Sequence, residues 1–86
     1  EIVLYQAGAD PYRDDQLGGL KMTLEGLQRR DRMVLEGCVE RGVAVVVTLG
    51  GGYARQVEDT VAIHTTTCRI AIEVAARAAA VPDGPA

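Results

Sequence analysis

Two side chains that can do chemistry each follow an apolar, β-rich segment of the sequence. Asp10 comes after residues 2–5 (IVLY), and Tyr53 comes after residues 43–49 (VAVVVTL) and three consecutive glycines. Ligands of open parallel sheets bind beyond the carboxyl ends of the strands, which is where both side chains would lie. A carboxylate can ligate zinc, and a phenol can donate a hydrogen bond to a developing oxyanion. The spacing is compatible with an acid–phenol pair at one sheet edge, but by itself it fits equally a simpler arrangement in which Asp10 caps a turn and Tyr53 packs on the sheet.

The segments around these residues predict the order strand, long loop, helix, strand, glycine loop, helix. Residues 2–5 and 43–49 are apolar on both faces, a pattern typical of buried parallel strands that helices cover on both sides. The loop after the first strand runs to about Thr23, which is long for a connection between a strand and a helix. Thr23 is the predicted N-cap of the first helix, and Gly42 is the predicted residue just after its C-terminus. The apolar stripe of this helix comprises Leu24, Leu27, Val34, Leu35 and Cys38.

A second helix is predicted from about residue 57 to residue 80, and residues 82–85 (PDGP) are expected to end it. Its predicted inner stripe comprises Val57, Val61, His64, Cys68, Ala71, Ile72 and Ala75. Two strands buried on both faces need further strands beside them. The sequence also lacks Phe and Trp although 48% of its residues are hydrophobic, and it begins with Glu1 directly before a strand. We therefore expect residues 1–86 to be a fragment of one larger α/β domain, with residues 81–86 as a tail.

Composition excludes several classes of protein. The chain is too apolar for a disordered segment, and its net charge of −3 does not suit an electrostatic nucleic-acid binder. Its longest apolar run, residues 43–47, is far shorter than the roughly 18 residues of a membrane helix. The N-terminus lacks the pattern of a signal peptide. We expect a cytoplasmic protein that contacts neither nucleic acid nor membrane directly.

Other polar and glycine-rich features have ordinary structural interpretations. Asp31 lies on an apolar stripe and is expected to pair with a neighbouring arginine or cap a backbone group, and residues 29–32 (RRDR) are expected on a solvated helix face. The single histidine, His64, is expected to be a satisfied core residue. Cys38 and Cys68 lie on apolar stripes, which favours buried thiols over a disulfide.

The glycine triplet could also belong to a phosphate-binding loop. The sequence has neither GxGxxG after a strand nor GxxxxGK[ST], so the specific nucleotide motifs are absent. A general anion site, or a small nucleotide-binding α/β module, stays open as an alternative at residues 50–53.

Three short segments together resemble the C-terminal part of the histone deacetylase superfamily, which includes bacterial deacetylase-like and acetoin-utilisation proteins. They are residues 7–10 (AGAD), 15–20 (DQLGGL) and 49–53 (LGGGY), and the resemblance extends from about residue 3 to residue 72. The combination of a G-x-D, a second Asp five residues later, a Leu-Gly pair and a distant GGGY is specific. The resemblance implies the β-α-β-α portion of an arginase/deacetylase-like parallel sheet.

The resemblance also implies an activity, that of a zinc-dependent amidohydrolase acting on acetyl-lysine in a protein or on a small acetylated amine. Asp10 matches the later of two Asp zinc ligands of the family. Tyr53 matches the tyrosine that hydrogen-bonds the substrate carbonyl and stabilises the oxyanion, and a tyrosine here is similar to the more active members.

Four further residues are matched to roles in the same way. Leu17 matches a residue that lines the acyl channel, and Gly51 and Gly52 match glycines that keep the channel wall low. Asp15 matches a second acid of the loop, with a structural role.

The family's paired histidines, its Asp-x-His zinc ligands and its monovalent-cation site have no match in these 86 residues. Catalytic zinc is held by three protein ligands, so one carboxylate is not enough. We therefore expect the chain to be inactive alone and to need the N-terminal part of its domain. The alternative is a non-catalytic structural or binding fragment that self-associates through strand edges and apolar faces.

Overall fold

Four secondary-structure elements form the part of the chain that the computed structural model describes, residues 1–80. They are strand β1 (Ile2–Gly8), helix α1 (Leu24–Glu40), strand β2 (Ala44–Gly50) and helix α2 (Val57–Ala80). This order confirms the predicted α/β arrangement of strand, loop, helix, strand, loop, helix. The predicted tail at 81–86 and the helix stop at 82–85 lie outside the described residues.

The two strands form a parallel pair in register from Ile2 opposite Ala44 to Gly8 opposite Gly50. The first strand extends three residues beyond the apolar segment that predicted it. Residues 6–8 have little β propensity of their own, and their pairing with residues 48–50 holds them in the ladder. Both strands consequently end at the same edge, and the loops that follow them start side by side.

Local signals place helix α1 correctly. The Thr23 side-chain oxygen accepts a hydrogen bond from the Gly26 backbone N–H at 3.0 Å, as expected of an N-cap. Glu25 lies in the first turn, where its negative charge suits the helix dipole. At the other end, Gly42 has a φ of 65°, the left-handed conformation that commonly follows a helix.

The buried face of helix α2 differs from the predicted stripe. Its buried residues are Ile63, Thr67, Ile70 and Val74. Val57, Val61, Cys68, Ile72 and Ala75 are exposed, whereas His64 and Ala71 are half-buried. The prediction was wrong because this helix carries Ala, Val and Ile on every side, so periodicity alone cannot select the face that packs. Cys68 is on the exposed side, so the prediction that its thiol is buried is wrong. Both cysteines are free.

The core consists of two clusters on one face of the sheet. One cluster lies near the loops and is formed by Ala9, Tyr12, Leu27 and Ile63. The other is formed by Leu35, Ile70 and Val74, with Tyr5, Val45 and Val47 packed against it. Both helices contribute to this second cluster, so they cover the same face of the strands.

The opposite face of the sheet is apolar and open. Ile2, Leu4 and Val46 are 60%, 75% and 44% exposed. Within residues 1–80 the strands are therefore covered on one face, and the expectation of cover on both faces is not met there. No helix in this part of the chain combines the length and the hydropathy that crossing a membrane requires.

Candidate functional site

Asp10 and Tyr53 lie in the two loops that leave the shared carboxyl edge of the sheet. The Ala9 backbone N–H donates to the Gly50 carbonyl at 3.0 Å, which continues the strand pairing one step into the loops. The parallel topology therefore brings the Asp10 loop and the Tyr53 loop together, as sequence reasoning expected.

The Asp10 carboxylate lies directly against the backbone of two glycines. A Cβ built on Gly8 would be 2.6 Å from Asp10 Oδ1, and one built on Gly51 would be 3.0 Å from the same atom. A Cβ on Gly18 would overlap the Asp10 carbonyl oxygen. The three glycines are thus needed for close approach, and Gly51 also has a left-handed φ of 67°.

Asp15 joins the two loops through its carboxylate. Oδ1 accepts from the backbone N–H groups of Leu17 at 2.9 Å and Gly18 at 2.8 Å, and Oδ2 accepts from the Tyr53 N–H at 2.9 Å. The bond from Tyr53 is the largest of the effects that lower the pKa of Asp15, and the bonds from Gly18 and Leu17 act in the same direction. Asp15 therefore links the backbone of its own loop to the backbone at Tyr53, and the structural role that the resemblance implies for this acid stays a prediction.

Backbone pairing holds Tyr53 from its other side as well. The Tyr53 carbonyl accepts from the Gln16 N–H at 2.9 Å, and the Asp14 carbonyl accepts from the Arg55 N–H at 3.0 Å. The Tyr53 side chain is 57% exposed, and no hydrogen bond joins its phenol to another of residues 1–80. A fixed backbone thus presents a phenol that is free to donate to a ligand.

Tyr12 is a residue that sequence reasoning missed. Its ring is buried in the cluster near the loops, and its hydroxyl donates to Asp59 Oδ2 at 2.8 Å, in the first turn of α2. That bond is the main reason why the pKa of Tyr12 is raised. An aromatic residue within a polar loop was the available signal, whereas its distant partner could not be inferred.

Gly52 allows the glycine loop to pack on α2. Its φ is 113°, and a Cβ there would overlap the Thr60 Cγ2 methyl group. His64 Nε2 is 3.5 Å from the Gly51 carbonyl oxygen, while His64 Nδ1 and Thr60 Oγ1 are buried without a hydrogen-bond partner among the described residues. The expectation that His64 is fully satisfied is therefore wrong.

Leu17, the expected channel residue, is 73% exposed on the first loop. Its backbone N–H is fixed by Asp15, so the side chain leaves an anchored turn. Gly51 and Gly52 lie on the adjacent loop, where close approach to Asp10 and to Thr60 requires them.

The described residues fit one part of a zinc site. Asp10 offers an exposed carboxylate, which is a chemically suitable ligand. Over residues 1–80, however, no three His, Cys, Asp or Glu side chains come close enough together to hold a metal ion. A zinc site that included Asp10 would therefore need further ligands from outside residues 1–80.

The anion-site alternative finds little support at residues 50–53. The Asp10 carboxylate occupies the space beside Gly51, and its negative charge opposes a bound phosphate. The Tyr53 N–H, which an anion would use, is already donated to Asp15.

Comparison with known proteins places these features in a family. Residues 1–68 match the histone deacetylase domain. The chain is 43% identical over 74 residues to an uncharacterized protein of Picosynechococcus sp., covering 86% of this chain and 25% of that protein. It is 35% identical over 65 residues to histone deacetylase 2 of Arabidopsis thaliana, covering 71% of this chain and 17% of that protein. The chain thus spans a quarter or less of the length of these curated relatives. The domain match over most of the chain shows that it belongs to the histone deacetylase family.

Proposed function

We propose that the complete protein is a zinc-dependent deacetylase that removes acetyl or related acyl groups from acetyl-lysine or another acetylated amine. Residues 1–86 are then the C-terminal part of its catalytic domain. The observation that carries the proposal is the placement of the Asp10 and Tyr53 loops side by side at the sheet edge, tied together through Asp15. Membership of the histone deacetylase family supports it.

Asp10 is the proposed zinc ligand of this segment. Its carboxylate lies beside Gly8 at the end of β1 and beside Gly51 directly after β2, so the ends of both strands border it. When bound, zinc supplies the Lewis acidity that polarises an amide carbonyl and a water molecule. The other ligands are proposed to lie in the part of the domain that precedes this segment.

Tyr53 is the proposed oxyanion donor. In this role its phenol O–H donates to the substrate carbonyl oxygen, and the bond strengthens as negative charge develops there. Donors of this kind typically contribute about 3–4 kcal/mol to transition-state stabilisation. Leu17 on the facing loop is the proposed contact for the apolar part of the substrate, with Gly51 and Gly52 leaving room beside it.

The proposal is tested by comparing the complete protein with residues 1–86 alone. Both are assayed for zinc-dependent hydrolysis of an acetyl-lysine peptide and of an acetylated polyamine. We expect turnover by the complete protein that a chelator abolishes and zinc restores, weaker zinc binding in Asp10→Asn, and no turnover by residues 1–86. A complete protein with no chelator-sensitive activity on any acetylated amine would overturn the assignment, and turnover by residues 1–86 alone would overturn the proposed need for further ligands.

The open apolar face of the sheet favours a second candidate for residues 1–86 by themselves, a non-catalytic piece that self-associates. Ile2, Leu4 and Val46 present that surface to solvent. Sedimentation of the isolated chain tests this, with Leu4→Lys as the disrupting variant. We expect a dimer or larger species that dissociates in Leu4→Lys; a cooperatively melting monomer would contradict self-association.

A further inference from the structure

Helix α1 carries a buried ionic cluster that the chemistry described above does not use. Asp31 is 1% exposed, and its Oδ1 accepts from Arg30 Nη2 at 3.0 Å and from the Tyr5 hydroxyl at 2.5 Å. Its Oδ2 accepts from Thr67 Oγ1 at 2.5 Å. The predicted pairing of Asp31 with an arginine is confirmed, and the carboxylate also connects β1 to both helices.

The side chain of Arg30, a member of this cluster, lies against the sheet rather than in solvent. Its guanidinium lies over the Tyr5 ring, 5.7 Å from the centroid, and its side chain is only 20% exposed. The prediction of a solvated helix face at residues 29–32 is wrong for this arginine because Asp31 draws it against the sheet. Nε and Nη2 are occupied by Asp31, which leaves Nη1 directed at the strand end.

The group that Nη1 meets is the Gly8 carbonyl oxygen, at 2.6 Å. Gly8 is the last residue of β1, and the Asp10 carboxylate occupies the space beside it, since a Cβ built on Gly8 would lie 2.6 Å from Asp10 Oδ1. A shift of Gly8 would therefore change the space available to the Asp10 carboxylate directly, even if the conformation of the loop stayed the same.

We propose that Arg30 is a positioning residue for the metal ligand: oriented by Asp31, it clamps the Gly8 carbonyl and thereby sets the place of the Asp10 carboxylate. The inference rests on the proposed function for the identity of the ligand, and it extends that function to Arg30, a residue 22 positions from Gly8 in sequence that bonds to it in the fold. Residues that orient metal ligands typically affect metal affinity by about 10–100-fold.

The test measures zinc affinity of the complete protein by chelator competition, together with the visible spectrum of the cobalt-substituted protein. Arg30→Met removes the clamp and Arg30→Lys retains a charge and a donor. Arg32→Met is the matched control, since Arg32 lies on the same helix and bonds to Glu73 at the surface. Tyr5→Phe is the stability control, because it removes one bond to Asp31 and leaves the bond from Arg30 to Gly8.

We expect Arg30→Met to weaken zinc binding about tenfold and to alter the cobalt spectrum. Arg30→Lys should fall between it and wild type, while Arg32→Met and Tyr5→Phe should bind zinc within twofold of wild type. A folded Arg30→Met protein with unchanged zinc affinity and cobalt spectrum overturns the proposal. So does an equal loss of affinity in Tyr5→Phe, which would indicate general destabilisation. If Arg30→Met does not fold, the zinc affinities of Arg30→Lys and Tyr5→Phe are compared instead. A lower affinity in Arg30→Lys than in Tyr5→Phe supports the proposal, and equal affinities overturn it.

Failure of the proposed function has a different signature, namely a wild-type protein that binds no zinc. The effect of Arg30 on the loop is then measured by amide hydrogen exchange at residues 9, 10 and 12, since Pro11 has no amide hydrogen. Faster exchange in Arg30→Met than in Arg32→Met supports the positioning of this loop, and equal exchange overturns it.

Discussion

The carboxylate of Asp15 and the backbone N–H of Tyr53 are joined by a hydrogen bond of 2.9 Å across two loops that are far apart in sequence. The same carboxylate fixes the turn at Leu17 and Gly18. One buried acid thus sets both the backbone that presents the phenol and the loop that faces it.

Tyr53→Phe in the complete protein should lower kcat for an acetylated substrate by about 10²-fold or more, because only the oxyanion donor is removed. The phenol has no hydrogen-bond partner among residues 1–80, so Tm should stay unchanged. Steady-state kinetics with a melting curve check both outcomes, and an unimpaired kcat would show that Tyr53 is not the donor.

Asp15→Asn should impair the same step by an indirect route. An amide offers one acceptor oxygen in place of two, so either the Tyr53 N–H or the turn at residues 17–18 loses its partner. We expect kcat to fall by roughly tenfold or more through misplacement of the phenol, together with a lower Tm. Asp14→Asn on the neighbouring position is the control, since its side chain makes only a long 3.5 Å contact with Tyr12. Equal effects of the two variants would contradict a specific role for Asp15.

Stability should depend on pH through Asp15 with a defined sign. Its pKa is lowered in the folded protein, chiefly by the hydrogen bond from Tyr53, so its contribution is present above the unfolded pKa of about 3.9 and is lost as pH falls through the folded value. The Tm gap between wild type and Asp15→Asn should be largest above about pH 5 and shrink below pH 4. A Tm gap that grows as the pH falls would show that the protonated form of Asp15, and not the ionised form, stabilises the fold.

Gly8→Ala should displace the Asp10 carboxylate, since the new Cβ would lie 2.6 Å from Oδ1. We expect zinc affinity of the complete protein to fall by about tenfold or more. Gly19→Ala is the matched control because a Cβ there has no neighbour within 4 Å. Chelator competition on both variants gives the comparison, and unchanged affinity in Gly8→Ala would show that the carboxylate adapts.

Gly52→Ala should destabilise the fold, because Gly52 has a φ of 113° and the added methyl group would overlap Thr60. Strain of this kind costs about 1–3 kcal/mol. Thermal melting of Gly52→Ala against the double variant Gly52→Ala/Thr60→Ser separates the clash, which the double variant relieves, from the backbone strain, which it retains. Identical Tm values would assign the whole loss to the backbone.

Sequence patterns were sufficient for the features that depend on neighbours along the chain. Thr23 capped its helix, Gly42 followed the helix end, and two apolar runs formed parallel strands whose ends bring the loops of Asp10 and Tyr53 together. These signals are local, or follow from strand topology, and need no knowledge of the partner surface.

Features that depend on a distant partner could not be predicted in this way. Tyr12 reaches Asp59 and Arg30 reaches Gly8, and nothing in the spacing of these residues links them. The prediction of the buried face of helix α2 failed for another reason. This helix has apolar residues on every side, so its buried face depends on the groups that it packs against. One of these groups is the Asp31 carboxylate, which accepts a hydrogen bond from Thr67.

The register of Gly8 opposite Gly50 has a consequence for how this segment tolerates change. The separation of the two loops at their origin is one strand spacing, about 4.8 Å, and is fixed by main-chain hydrogen bonds rather than by the shapes of core side chains. Substitutions in the distant cluster of Leu35, Ile70 and Val74 can therefore alter folding stability while the edge keeps its dimensions. At these three positions folding stability can change without a change in the geometry of the loop edge, whereas a single inserted or deleted residue in either strand would change both at once.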